Sequence, residues 1–87
     1  MAAIKLVITD PAGLHARPAS LVASTASKFE SKITLIFGEK TADLKSIMNI
    51  MALGVKQGSE IEITAEGPDA EEALKTIETT MKENKLV

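Results

Sequence analysis

The stretch Lys32-Ile33-Thr34-Leu35-Ile36-Phe37-Gly38-Glu39-Lys40-Thr41-Ala42-Asp43 decides how the chain folds. Ile33, Leu35 and Phe37 alternate with Lys32, Thr34 and Ile36, the period of two that marks a strand with one buried face. Gly38-Glu39 supplies a two-residue hairpin turn, and a short strand over about 40–43 follows it. Further alternating runs lie to either side. Ile4, Leu6 and Ile8 alternate with Lys5, Val7 and Thr9, and Ile61, Ile63 and Ala65 alternate with Glu60, Glu62, Thr64 and Glu66. A strand that is apolar on one face needs cover on that face alone.

Three segments between and after the strands carry the helical period. Pro18, Val22, Thr25, Ala26 and Phe29 predict a helix over about 16–28. Residues 47–53 are nearly all apolar and predict a short helix, with Ser46 as its N-cap and Gly54 ending it in a left-handed conformation. Asp69 and Glu72 have the spacing of a capping box, and Ala70, Ala73, Leu74, Ile77 and Met81 form the buried stripe of the helix it opens. Lys82 and Lys85 suit the negative end of that helix. The order is β-α-β-β-α-β-α. It predicts an α+β two-layer fold, with all three helices on one side of a single sheet and water on the other.

A length of 87 residues predicts one domain spanning 1–87. A net charge of −2 and only two aromatics, Phe29 and Phe37, argue against direct nucleic-acid binding, which favours a basic face and stacking rings. The absence of cysteine removes disulfides, zinc–thiolate sites and thiol nucleophiles. With one histidine and no clustered carboxylates, neither a metal nor a cofactor is expected. No apolar run approaches the ~20 residues of a membrane span, and residues 1–10 lack the pattern of a signal peptide. The expectation is a small cytoplasmic protein, monomeric and not inserted in a membrane.

The single histidine, His15, stands in Gly13-Leu14-His15-Ala16-Arg17-Pro18-Ala19. As N-cap it would leave the free N–H groups of Ala16 and Arg17 beside its ring, and Pro18 is tolerated at that depth because first-turn N–H groups lack intrahelical partners. A helix N-terminus and a guanidinium together suit phosphate oxygens. Gly13 removes a side chain where an anion or a partner backbone would approach. A ring nitrogen so placed could take a phosphoryl group, a transfer that depends mostly on positioning and electrostatics. On spacing alone an ordinary surface histidine and a solvated arginine fit as well.

Leu44-Lys45-Ser46-Ile47-Met48-Asn49-Ile50-Met51-Ala52-Leu53-Gly54 is the second notable segment. An all-round apolar helix is either enclosed or offered to a partner. Ile50 and Leu53 are expected inward, with Ile47, Met48 and Met51 partly exposed as a docking face that includes Ala52. Ala16, Ser20, Ser24 and Ser27 add a stripe of small residues on the first helix. Methionines that merely fill the core are the competing reading. For Ser46 the common role is capping, worth about 1 kcal/mol. Phosphorylation there would put close to two negative charges beside the docking face without unfolding the helix.

In these two segments the chain resembles the HPr family, histidine-containing phosphocarriers of the bacterial phosphoenolpyruvate-dependent sugar phosphotransferase system. GLHARPA at 13–19 is similar to the family's active-site motif, and LKSIM at 44–48 with LG at 53–54 to the regulatory motif of its Gram-positive type. Asn49 stands where many relatives of that type have glycine, and the hairpin reads Phe37-Gly38-Glu39-Lys40 rather than the commoner Asn-Gly form. The resemblance covers essentially the whole chain. It implies an open-faced β-sandwich of three helices over a four-stranded antiparallel sheet. It also implies a phosphoryl carrier, not an independent enzyme. His15 would accept the group from phospho-enzyme I on Nδ1 and pass it to enzyme IIA domains, with Arg17 assisting. Ser46 would be the target of HPr kinase/phosphorylase, and the phosphoserine form would engage a catabolite-control transcription regulator. The alternative is a regulatory binding module acting mainly through phospho-Ser46 in catabolite repression; regulatory relatives lack the active-site histidine.

Overall fold

The computed structural model describes residues 2–87. The elements are β1 (Ala2–Val7), α1 (Ala16–Ala26), β2 (Lys32–Phe37), β3 (Lys40–Asp43), α2 (Ile47–Ala52), β4 (Glu60–Glu66) and α3 (Ala70–Glu83). The strands form one antiparallel sheet in the order β1-β4-β2-β3. This is the β-α-β-β-α-β-α open-faced arrangement expected, with α1, α2 and α3 on the apolar side of the sheet. No described helix is long and apolar enough to cross a membrane.

Register follows from the alternation. Ile4 pairs with Ile63 and Leu6 with Ile61 across β1 and β4, and Ile33 pairs with Ala65 and Leu35 with Ile63 across β2 and β4. A slip of one residue would turn these side chains to water. Lys5 opposite Glu62 and Lys32 opposite Glu66 set unlike charges face to face in the same register. Phe37 pairs with Lys40, which leaves Gly38-Glu39 as a two-residue turn, and Gly38 takes φ +62 as a primed hairpin turn requires. The helices contribute Ala19, Val22 and Ala26 from α1, Ile50 from α2, and Ala73, Leu74, Ile77 and Met81 from α3 to the same core.

The ends of the elements differ from expectation in informative ways. Helix α1 stops at Ala26, short of residue 28. There the Ser27 hydroxyl donates to the Ala23 carbonyl at 2.8 Å, and the N–H groups of Lys28 and Phe29 tighten onto Thr25 and Ala26. Strand β1 begins at Ala2, and Ile8 lies just beyond it, fully buried and bonded to the 58–59 turn. Helix α3 ends in a Schellman turn: the Leu86 N–H reaches the Met81 carbonyl at 2.9 Å and that of Lys85 reaches Lys82 at 3.1 Å, with Lys85 at φ 59. That turn folds the Leu86 side chain back into the core.

The capping box at Asp69 is not formed. Asp69 is the N-cap residue of α3 and its carbonyl accepts the Ala73 N–H, but its side chain makes no cap bond. The carboxylate instead accepts the N–H groups of Glu30 and Ser31, both at 2.9 Å, and the Ser31 hydroxyl. The competing donors are 38 and 39 residues away in sequence, so local spacing did not reveal them. Gly67 makes the approach possible, since a Cβ there would lie 2.6 Å from Ser31 Oγ. The Ser31 hydroxyl foremost, and then the Glu30 N–H, hold the Asp69 carboxyl below its ordinary value. A lowered carboxyl pKa stabilises the fold above the unfolded value of about 4, and that contribution is lost as pH falls through the folded value. Asp69→Asn is therefore expected to melt below the parent at pH 7, with the gap narrowing as pH falls below about 4. Thermal melts at pH 7, 5 and 3 check this, and a gap independent of pH contradicts it.

Candidate functional site

The loop from β1 to α1 is held from three sides. Leu86 accepts the Thr9 N–H at 2.8 Å, and Gln57 Nε2 donates to the Thr9 carbonyl at 3.1 Å. Within the loop, Asp10 Oδ1 accepts the Ala12 N–H at 2.8 Å and the Asp10 carbonyl accepts the Gly13 N–H at 2.9 Å. Leu14 is buried, and its N–H donates to Val55 at 3.1 Å. Gly13 sits at φ +70, and a Cβ on it would fall 2.3 Å from the Val55 carbonyl oxygen and 2.9 Å from Lys56 Cα. What approaches Gly13 is therefore the chain's own backbone at 55–56, in place of the anion or partner expected from sequence.

His15 follows as the N-cap of α1, in extended conformation at φ −88 and ψ −166. Its carbonyl accepts the Ala19 N–H at 2.9 Å, while its ring makes no cap bond and is exposed. The helix is thus closed by backbone, and the imidazole is left free for other work. Ala16 and Arg17 are exposed in the first turn, and Pro18, which has no N–H to satisfy, is buried beneath them. Among the described residues the one ion pair joins Lys82 to Glu78, so the Arg17 guanidinium is unpaired. His15 and Arg17 line one open hollow of ≈ 450 Å³ together with Asp10, Pro18, Leu21, Asn84 and Leu86. A separate hollow of ≈ 500 Å³ at the start of α3 is walled by Asp69, Glu71 and Glu72 and contains none of the candidate residues. Its carboxylates would repel an anion.

Ser46 lies outside the His15 hollow, at the start of α2. It is half-buried, and its Oγ accepts the Asn49 N–H at 3.3 Å, a long capping bond. Lys45 is turned away to the Phe29 carbonyl at 2.8 Å. Ile50 and Leu53 face the core, whereas Ile47 is 40%, Met48 81% and Met51 45% exposed, and Ala52 is also exposed. Gly54 takes φ +67 just past the helix. On α1, which packs against α2, Ser20 and Ser24 are exposed, as is Ser27 at its C-cap, although the Ser27 hydroxyl is spent on the helix end.

The sequence profile described as "PTS HPr component phosphorylation site" matches residues 2–83. The chain belongs to the HPr family. It is 53% identical over 87 residues to the phosphocarrier protein HPr of Mycoplasma capricolum, covering 100% of this chain and 98% of that one. Its structure superposes with TM-score 0.97 on a Mycoplasma histidine-containing phosphocarrier protein, at 52% identity and covering 99% and 98% of the two chains. HPr of Thermoanaerobacter tengcongensis, 45% identical, matches with TM-score 0.90 in the form described as HPr-C-His (99% and 96% covered) and 0.75 as a dimer (100% and 99% covered). Membership of the HPr family makes the chain a phosphocarrier of the phosphotransferase system.

Asp10, Asn84 and Leu86 in the HPr hollow were missed from sequence. Residues 84–86 arrive from the far end of the chain, and no local pattern announces that. Asp10 did carry a signal, since Asp followed by Pro, Ala and Gly is a turn composition in which the aspartate side chain bonds the backbone two residues on. Gly13 generates a test. Gly13→Ala must hold a left-handed alanine against Val55, which is expected to cost about 2 kcal/mol or more. For a domain of this size that is a fall of about 8 °C or more in thermal midpoint. A midpoint within 2 °C of the parent would show that the 55–56 turn gives way freely.

Proposed function

We propose that His15 is the phosphoryl acceptor, taking the group from phospho-enzyme I and giving it to enzyme IIA domains in sugar uptake. The observation that carries this reading is an exposed imidazole at a helix N-terminus, making no cap bond and sharing a hollow with an unpaired arginine. The lone pair of the ring nitrogen, Nδ1 in this reading, attacks phosphorus. The bond from phosphorus to the donor atom of phospho-enzyme I breaks as the new N–P bond forms; the donor atom leaves with the electron pair and takes up a proton, and the His15 ring gives up its Nε2 proton to solvent. The N–H groups of Ala16 and Arg17 and the Arg17 guanidinium then meet the phosphoryl oxygens. No cofactor is required for the exchange. The hollow is shallow and open because the partner supplies the other wall.

Ser46 is proposed as a second phosphorylation site, served by HPr kinase/phosphorylase. Ile47, Met48, Met51 and Ala52, with Ser20, Ser24 and Ser27, form the docking face for enzyme I and enzyme IIA domains. A phosphate on Ser46 would stand at the positive end of α2, so the helix persists, while its charge repels an acidic partner. Contact of the phosphoserine form with a catabolite-control transcription regulator belongs to the same proposal. The 87 residues are proposed to act as one phosphocarrier domain, monomeric and cytoplasmic. A regulatory module working mainly through Ser46 is the second reading, favoured by the large apolar exposure beside that serine.

Incubation with enzyme I and labelled phosphoenolpyruvate tests the first reading. An acid-labile, base-stable adduct is expected, absent from His15→Ala. Arg17→Ala is expected to slow its formation on the order of 10–100-fold, the worth of a charge-assisted hydrogen bond. Label that persists in His15→Ala refutes the acceptor assignment. Ser46→Asp is expected to raise the apparent KM for enzyme I with an unchanged circular dichroism spectrum, and Met48→Glu to do the same where Val7→Glu on the opposite face does not. Equal KM values across the series would refute the docking face.

A further inference from the structure

We infer that Asp10 is a positioning residue for phosphoryl transfer at His15, acting through the acceptor oxygen of its side chain and not through its charge. The inference rests on the reading of His15 as the acceptor. Three polar groups of Asp10 are engaged around the loop. Its N–H points at the Leu86 carbonyl at 3.4 Å, its carbonyl accepts the Gly13 N–H at 2.9 Å, and Oδ1 accepts the Ala12 N–H at 2.8 Å. The preceding residue, Thr9, is gripped on both sides by Leu86 and Gln57. Asp10 is therefore where the anchored part of the chain ends and the turn carrying the imidazole begins.

The turn has little room for error. Gly13 lies against the backbone of Val55 and Lys56, and Leu14 is bonded to Val55 and buried immediately before His15. These contacts fix where the turn must finish. The Ala12 N–H bonded to Oδ1 fixes its path, together with the restricted φ of Pro11. Without that acceptor residues 11–12 sample other paths and the seating of Gly13 and Leu14 on the 55–56 backbone loosens, so the ring of His15, which makes no cap bond, shifts with it. In-line transfer is steep in such displacements, since an error of about 1 Å costs on the order of 100-fold.

The carboxylate also lines the hollow with His15 and Arg17, so a charge role is the rival explanation. The two separate cleanly. Asparagine keeps the acceptor oxygen and removes the charge, whereas alanine removes both. Single-turnover phosphorylation by phospho-enzyme I is measured for the parent, Asp10→Asn and Asp10→Ala well below their melting temperatures, alongside the NMR shifts of the His15 ring. The expected result is Asp10→Ala slowed about 5–10-fold with KM for enzyme I within about twofold and a displaced His15 signal. Asp10→Asn is expected within about twofold of the parent in rate and shift. If Asp10→Ala does not fold, Asp10→Ser replaces it; its hydroxyl makes the same turn more weakly, so a slowing of about 2–5-fold is expected, and a rate equal to the parent's overturns the inference.

Equal rates for alanine and the parent overturn the inference. So does Asp10→Asn as slow as Asp10→Ala, which assigns the effect to charge, and so does a loss confined to KM, which makes Asp10 a partner contact. Each of these leaves His15 labelled in the parent, so the acceptor reading survives. Label persisting in His15→Ala instead removes that reading, and this inference with it.

Discussion

One-sided burial of the sheet is the constraint from which the rest of the molecule follows. Ile33, Leu35, Ile61, Ile63 and Leu6 all point to one face, and the strands that carry them are locked in register by pairing with one another. Three helices must then share that single face. Their entry points are set by the strand ends, and the entries to α1 and α3 are loops that cross another piece of backbone at close range. At Gly13 and Gly67 a side chain would collide with the crossing chain, so glycine is required there by the packing of the layer above.

The elements were legible in the sequence because they are written in local periods. Alternation at 33–37 and 61–65 and the helical stripe Ala70 to Met81 needed no partner to be read. The inward and outward residues of α2 were legible for the same reason, since Ile50 and Leu53 are three apart on one side of a short helix. Asp69 shows where local reading stops. Its spacing from Glu72 is that of a capping box, yet a carboxylate goes to the best donors within reach, and those were presented by Glu30 and Ser31. Sequence distance hid the competition.

The candidate site divides along the same line. His15 and Arg17 were legible as neighbours at one helix start, although spacing alone fitted an ordinary surface pair as well and the family resemblance supplied their proposed roles. The residues that complete their hollow, Asn84 and Leu86, come from the end of the chain through a left-handed turn at Lys85, a residue with no special tolerance for that conformation. Such a turn follows from the need to bury Leu86, which is a tertiary requirement. Gly13 was singled out correctly and explained wrongly, because the group it admits belongs to this molecule.

Helices on one side alone leave Lys5, Thr34, Glu62 and Thr64 answering to solvent and to each other. Nothing stacked above them records a change there. The back of the sheet is accordingly the natural mounting surface for a dye or spin label, from which passage of the protein between its clients could be watched without touching the machinery in front.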